Sequence, residues 1–172
     1  MSDATQTEQA YQMPTAGAEH KRLKPFAGKF RAEVKMWMGP GDPIASTGTM
    51  TNTFELGDLY LQQDYIGDAS DGPFPSFEGK GFWGFNTTTN QYEGFWIDNA
   101  CNSMQTEKGS VDAKGKIWEM KGEMICPQTK QPFQKRSVIT LNDNDHHKIE
   151  MFFKGADGIE SKAMEINYER VA

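Results

Sequence analysis

The stretch GKGFWGFNTTTNQYEGFWIDN, residues 79–99, decides the fold because it holds two candidate strands and the turn between them. A Thr-Thr-Thr-Asn loop closed by Asn86 and Gln91 predicts an antiparallel hairpin, in which directly opposed residues share a face. The opposed pairs are then Phe85 with Tyr92, Trp83 with Gly94, and Gly81 with Trp96. Each indole faces a glycine, which indicates close packing or a bend in a curved sheet.

The aromatic residues of this hairpin divide between its two faces, because successive side chains of a strand point to opposite sides. On the face predicted to point inward lie Trp83, Phe85, Tyr92 and Trp96. Phe82 and Phe95 pair on the other face. An exposed aromatic pair indicates cover by the N-terminal segment or a contact between subunits.

A second hairpin shows the same alternation around Gly57 and Asp58, which we interpret as a two-residue turn. Its inward face is apolar except for one Asn-Gln pair. The predicted opposed pairs are Met50 with Tyr65, Asn52 with Gln63, Phe54 with Leu61, and Leu56 with Leu59. The other face carries polar residues such as Thr53 and Asp64, as is typical of a side that faces solvent.

The alternation continues almost to the C-terminus, with Gly, Asn and Asp at the turns. Pairing Cys126 with Phe133 predicts an inward face made of Trp118, Met120 and Met124 opposite Leu141, Ile139 and Lys135. A loop from Asn142 to His146 and a turn from Gly155 to Gly158 keep this pattern in the last strands. Their inward residues are Ile149, Met151, Phe153, Met164, Ile166 and Tyr168.

A meander with one apolar face leaves unpaired edges unless its ends meet, and closure removes those edges. We therefore predict an all-β fold, a single antiparallel up-and-down β-barrel of about ten strands with a short N-terminal helix. The absence of helical crossovers in the pattern excludes a parallel α/β sheet. About ten strands enclose more space than side chains fill easily, so we expect an internal cavity.

The chain of 172 residues fits one domain with a core of its own. Residues 1–18 are rich in Thr, Gln and Ala without periodicity, which predicts a flexible N-terminal arm. The barrel domain is predicted over residues 19–172. Near its start, Leu23 and Phe26 share a face of a short helix that Pro25 limits in length, and we expect this helix to plug or cover the barrel.

Composition excludes several classes of function. A net charge of -6, a pI near 5.1 and the lack of a Lys/Arg cluster argue against nucleic acid as a partner. Cys101 and Cys126 are too few for a disulfide framework and have no metal-site spacing, so we expect reduced thiols. The sequence shows no secretory signal pattern and no stretch apolar enough to span a bilayer, which predicts a cytoplasmic protein without a membrane partner.

Four segments of the chain resemble one protein family: EHKRLKPFAGKF, GPGDPIASTGTMTNTFELGDLYLQQDYIG, FEGKGFWGFNTTTNQYEGFWIDN and the terminal MEINYERV. They contain a Gly-Asp hairpin, a Phe-Glu-Gly-Lys-Gly strand and a Trp-Ile-Asp segment, and the likeness runs from Glu19 to Val171. In these features the chain resembles the domain-of-unknown-function 1579 family, whose members look like lipocalin-type or fatty-acid-binding-protein-type barrels. The resemblance implies a calycin-like barrel without an assigned reaction.

The inward residues form the candidate binding site. We expect the cavity to be lined by Met50, Asn52, Phe54, Gln63, Tyr65, Trp83, Phe85, Tyr92, Trp96, Asp98, Trp118, Met120, Ser137, His147 and Met151. Apolar walls with a few polar groups suit a small apolar or amphipathic molecule, oriented by Asn52, Gln63 or Asp98. The alternative for each ring is core packing. For each inward polar residue, Lys135 and Lys162 included, the alternative to ligand binding is a hydrogen bond to another interior side chain or to interior water.

Two other functions stay open. Asp98 with His147 or Lys135 could form the acid–base pair of a small barrel enzyme, since burial shifts the pKa of such groups towards neutrality. The sequence contains no recognisable catalytic motif in support of this. In the other alternative, Phe82 and Phe95 form the contact surface of a homodimeric scaffold.

No cofactor is predicted. His147 could ligate haem iron, but it follows His146 in an Asn- and Asp-rich turn, where solvated side chains are typical. A zinc site needs three or four converging ligands at suitable spacing, and the sequence shows no such set.

Overall fold

Ten antiparallel strands form a closed barrel in the computed structural model, which describes residues 12–126, 129–155 and 157–171. Each strand is hydrogen-bonded to its neighbours in sequence, and the first strand pairs with the last. The predicted up-and-down barrel is therefore confirmed. Of the arm predicted over residues 1–18, residues 1–11 lie outside the described residues. No helix in the described part of the chain is long and apolar enough to cross a membrane.

The elements follow one another through short connections. Helix α1 spans Ala18–Lys21, and a 3-10 turn spans Lys24–Phe26. The strands are β1 Gly28–Met36, β2 Ile44–Glu55, β3 Tyr60–Gly67, β4 Glu78–Asn86, β5 Gln91–Asp98, β6 Cys101–Val111, β7 Ile117–Ile125, β8 Pro132–Leu141, β9 His146–Lys154 and β10 Glu160–Arg170.

The register of three predicted hairpins is largely confirmed. Asn86 pairs with Gln91 between β4 and β5, and the β2–β3 and β8–β9 registers are as predicted. The β2–β3 turn is longer than two residues, because pairing ends at Glu55 and Tyr60. The prediction that Leu56 faces inward is wrong. Its φ of 52° is a turn conformation, and its side chain is 73% exposed.

The β7–β8 pairing differs from the prediction by two positions. Phe133 pairs with Met124, whereas the backbone N–H of Cys126 donates to Gln131 O at 2.9 Å. The connection has the predicted length but begins one residue earlier, because Pro132 is the first residue of β8, where a strand tolerates proline. A shift of two positions leaves each side chain on its predicted face. The buried residues of the two strands are Trp118, Met120, Lys135, Ser137, Ile139 and Leu141.

A β-bulge in β10 turns Lys162 outward, which corrects the prediction of an inward side chain. The pairing with β9 shifts between Lys162 and Met164, and an extra residue at such a point reverses the alternation. The Lys162 ammonium instead binds the carboxylates of Glu150 and Glu165, the latter at 2.8 Å. Its charge is therefore compensated on the outer surface of the barrel.

Residues 18–27 close one end of the barrel, and we call them the plug. Leu23 and Phe26 are buried between the strands. They pack in one cluster with Leu61, Trp83, Tyr92, Trp118, Met120, Ile139 and Leu141. Asn52 fixes the plug from below, because its Nδ2 donates a hydrogen bond of 2.7 Å to the Phe26 carbonyl. The plug thus fills the adjoining half of the interior with side chains.

Candidate functional site

A cavity of about 400 Å³ occupies the half of the interior opposite the plug. It lies at the ends of the strands where β1 leads to β2 and β3 leads to β4, beside the segment 68–77. Apolar side chains form most of its wall, among them Met50, Tyr65, Trp83, Trp96, Ile149 and Ile166. The two ends of the barrel therefore differ: one is packed, and the other holds a space of ligand size.

Trp96 lies on the cavity wall because glycines of the neighbouring strand leave room for its indole. A Cβ atom at Gly79 would overlap the Trp96 ring, and one at Gly81 would lie 2.9 Å from its Cε3. The indole Nε1 donates a hydrogen bond of 3.0 Å to the Asp98 carboxylate. The predicted pairing of a glycine with this indole thus has a structural reason, since the ring lies across two glycines.

The Asp98 carboxylate caps the β5–β6 turn at the rim of the cavity. Its Oδ1 accepts the backbone N–H groups of Ala100 and Cys101 at 3.0 and 2.9 Å. Its Oδ2 accepts Trp96 Nε1 at 3.0 Å and Gln105 Nε2 at 3.4 Å. Both carboxylate oxygens are therefore occupied by protein donors.

The Lys135 side chain is part of the cavity wall and is 5% exposed. Its Nζ lies 3.5 Å from Gln105 Oε1 and 3.4 Å from Glu107 Oε2. The same Glu107 oxygen accepts the Ser137 hydroxyl at 2.9 Å. Side chains from β5, β6 and β8 thus form one connected network, which we call the polar wall: Asp98, Gln105, Glu107, Lys135 and Ser137.

Gln105 and Glu107 were not predicted as site residues. Strand β6 carries polar residues on both faces over most of its length, so no apolar alternation shows which side points inward. A signal was available in the turn. A two-residue turn at Asn99 and Ala100 pairs Asp98 with Cys101, so these two residues share the inward face. Every second residue after Cys101 in β6 then points inward as well, which includes Gln105 and Glu107.

The structure divides the predicted lining residues between the two halves of the barrel. Those on the cavity are Met50, Gln63, Tyr65, Trp83, Trp96, Asp98, Ser137 and Met151. Those that do not line it are Asn52, Phe54, Phe85, Tyr92, Trp118, Met120 and His147. The physical reason for this correction is the plug, whose buried side chains take the space that the second group would otherwise enclose. Ligand binding by the first group stays a prediction.

His147 belongs to the packed half. Its ring stacks on Tyr168 with centroids 4.5 Å apart and meets the edges of Phe26 and Phe30 at 5.0 and 4.7 Å. Burial, together with the charge of Arg170, lowers the pKa of His147 to about 3, so the imidazole is neutral near pH 7. Three rings enclose it on the sides that the structure describes, which leaves no space for a haem plane beside it.

The two predicted acid–base pairs, Asp98 with His147 and Asp98 with Lys135, differ in how far apart their members lie. Asp98 and His147 lie in opposite halves of the interior, at the cavity rim and beneath the plug. Asp98 and Lys135 are linked, because both contact the amide of Gln105. The amide separates the two charges, however, and no direct Asp98–Lys135 contact occurs among the described residues. The geometry therefore brings neither predicted pair into direct contact.

The Phe82–Phe95 pair lies on the outer surface as predicted. The two rings stack with centroids 5.5 Å apart and an angle of 25°, and Phe95 is 37% exposed. Neighbouring Ile97 is also 37% exposed. The rings thus cover each other in part within a single chain, and homodimerisation through this surface stays a prediction.

Solved structures that are similar to this chain match it at low sequence identity. A crystal structure of Rv2717c from M. tuberculosis is similar, with a TM-score of 0.66 and 12% identity over 92% of this chain and 100% of that chain. A redesigned β-barrel, b11L5F_LGL, is similar with a TM-score of 0.44 and 14% identity over 92% of this chain and 100% of that chain. The structure of EF1p2_mFAP2b bound to DFHBI is similar with a TM-score of 0.48 and 12% identity over 90% of this chain and 100% of that chain. At these identities the likeness concerns the fold alone, and only the first is close enough to support it.

No curated protein matches this chain. The model of one family, described as "Protein of unknown function (DUF1579)", matches residues 15–170. This range includes the plug, the polar wall and the strands β1 to β10. The chain therefore belongs to the DUF1579 family.

Proposed function

We propose that this barrel binds a small, mostly apolar or amphipathic molecule in the cavity at its open end. The observation that carries the proposal is the cavity itself, whose volume of about 400 Å³ lies within the usual range for small-molecule sites. Its walls are largely apolar, with a connected set of polar groups contributed by β5, β6 and β8. Such a distribution orients a ligand as well as enclosing it.

The packed half of the barrel supports this proposal. Because the plug and its cluster fill one end, the cavity has a packed floor. Transfer of apolar ligand surface from water to such walls contributes about 25 cal/mol per Å². A lipocalin-like role for the chain, as a carrier or sensor of such a molecule, is part of the same proposal.

The test uses a cavity-blocking variant with a matched surface control. Ser46 lies opposite Val34 and lines the cavity, whereas Thr51 on the same strand pairs with Lys29 and is exposed outside. We expect N-phenyl-1-naphthylamine, a neutral apolar dye, to bind the purified protein at one site. Ser46→Phe should weaken this binding by about tenfold or more, equivalent to about 1.4 kcal/mol. Thr51→Phe should leave it unchanged.

Two readouts keep the result unambiguous. Of the four tryptophans, Trp83 and Trp96 line the cavity, so dye binding should quench tryptophan emission as dye emission rises. Native mass spectrometry of the freshly purified protein should show a bound small molecule that denaturation releases. A protein without saturable dye binding, or equal weakening by both variants, contradicts the proposal.

A further inference from the structure

We propose that the ligand of this cavity is uncharged and carries a hydrogen-bond acceptor, such as a carbonyl oxygen, which the Lys135 ammonium binds. This inference rests on the proposed function, because it assigns the chemical class of the molecule that the cavity holds. It follows from the hydrogen-bond balance and the charge balance of the polar wall.

The Lys135 ammonium is buried without a short contact to any described acceptor. Its distances to Gln105 Oε1 and Glu107 Oε2 are 3.5 and 3.4 Å. Charge-assisted hydrogen bonds between nitrogen and oxygen are usually about 2.7–2.9 Å long. A buried ammonium with two long contacts still needs an acceptor, since burial of an incompletely paired charge is costly.

The Trp83 indole, which borders the cavity, also has a donor without a partner in the described part of the chain. Trp83 is 7% exposed, and its Nε1 is buried with no hydrogen-bond partner among the described residues. Solvent does not reach this nitrogen, whereas at the Lys135 ammonium water can supply the missing contact in the free protein. An apolar ligand that displaces the water must then supply an acceptor of its own, or affinity is lost.

The acceptors of the polar wall are largely occupied. Both oxygens of Asp98 accept two protein donors each, and Glu107 Oε2 accepts the Ser137 hydroxyl beside Lys135. A ligand that offers only donors would compete with these contacts. The wall therefore favours a ligand that accepts hydrogen bonds.

The charges on the cavity lining disfavour an anionic ligand. The charged lining residues are Asp68, Asp98, Glu107 and Lys135. Asp68 is paired with Arg31, which leaves two carboxylates facing one ammonium. A ligand carboxylate would add a third negative charge beside that ammonium, whereas a carbonyl oxygen accepts its hydrogen bond without this repulsion.

The experiment compares three probes that share one chain length: 2-undecanone, undecanoate and undecylammonium. Each displaces N-phenyl-1-naphthylamine from the intact protein below its critical micelle concentration. Salt of about 0.5 M screens the overall negative charge of the protein, so that the comparison reports the local site. We expect 2-undecanone to bind at least about tenfold more tightly than either ion.

Variants test the role of Lys135 directly. Lys135→Met keeps the length of the side chain but removes its donor, and it should weaken 2-undecanone about tenfold or more. The double variant Lys135→Met/Glu107→Gln removes both charges and replaces the single variant if that fails to fold. Lys121→Met, at an outward lysine that is 68% exposed in its side chain, is the control and should have no effect.

Infrared difference spectra add a readout that a purely structural role would not change. The carbonyl stretch of bound ¹³C-labelled 2-undecanone should shift to lower frequency, and the Lys135 variants should abolish that shift. If undecanoate or undecylammonium binds as tightly as the ketone, or if the carbonyl shift survives in the variants, the inference is overturned while cavity binding stands. If neither the dye nor any probe binds, the proposed function fails and this inference with it.

Discussion

His147 is an ionisable side chain held neutral by its surroundings. It is 4% exposed and enclosed by Phe26, Phe30 and Tyr168. Burial is the larger cause of its lowered pKa, and the nearby Arg170 charge adds to it. A proton on this imidazole would be a second positive charge in an apolar site, so the folded state excludes it until about pH 3.

This property predicts a pH-dependent stability. Below its ordinary pKa of 6.5, His147 of the unfolded chain binds a proton that the folded barrel excludes down to about pH 3. Stability present above pH 6.5 is therefore lost as the pH falls through this window, by up to about 1.4 kcal/mol per pH unit. Urea unfolding at pH 6 and pH 5 should show this slope, and His147→Phe should reduce it.

The exposed neighbour His146 provides the control. Its contact with Asp143 raises its pKa, so its contribution to stability is complete below pH 6.5 and is lost as the pH rises through the raised value. His146→Gln should therefore leave the slope between pH 6 and pH 5 intact. An unchanged slope in His147→Phe would show that the buried imidazole is not its source.

At the scale of elements, the plug is held more by tertiary contacts than by its own helix. Helix α1 and the 3-10 turn are too short to be stable alone. Arg170 clamps the plug to the end of the barrel, because its guanidinium donates to the carbonyls of Pro25 and Ala27, both at 2.8 Å. The same guanidinium binds Asn144 O at 2.7 Å and lies over the Phe30 ring.

We therefore predict that the plug stabilises the whole barrel. Phe26→Ala should lower the free energy of unfolding by about 3–5 kcal/mol, because it opens a cavity among Trp83, Trp118 and His147. Phe74→Ala is the matched control at the cavity rim, where the half-buried ring should contribute about 1 kcal/mol or less. Urea unfolding measures both, and similar losses would contradict the asymmetry between the two ends.

The whole molecule has one weak seam in an otherwise continuous sheet. Strands β6 and β7 pair only over Lys108–Val111 and Trp118–Lys121 in the described residues, near the plug. Gly109 permits this pairing, because a Cβ there would overlap the Glu119 carbonyl. Towards the cavity the ladder ends, so the polar wall lies beside the least paired part of the barrel.

Hydrogen exchange should follow this difference. Amides of residues 101–106 in β6 should exchange at least about tenfold faster than those of residues 108–111, because they have fewer ladder partners. Strand β4, which pairs along its length with both neighbours, is the internal control and should be evenly protected. Equal protection along β6 would show that the seam is closed in solution.

Side-chain alternation made most of the fold predictable, because a strand repeats every two residues and one face must be buried. The pairing of Trp83 with Gly94 followed from this rule alone. Bulges and loop lengths did not, since an extra residue reverses the alternation without a composition signal. Lys162 was missed for that reason, and the β7–β8 register was missed because the sequence does not show at which residue its loop begins.

The sequence by itself determined the barrel, its inward rings and the inward position of Lys135 and Ser137, because each depends on neighbours along or across one hairpin. Only the tertiary structure decided which inward residues line a cavity. That division depends on how far the plug enters the interior. Residues 18–27 directly precede β1 and so lie at the end where it begins, but the sequence does not show that Leu23 and Phe26 fill that half of the barrel. The polar wall has the same origin, since Gln105 and Glu107 meet Lys135 only when β6 and β8 approach across the interior.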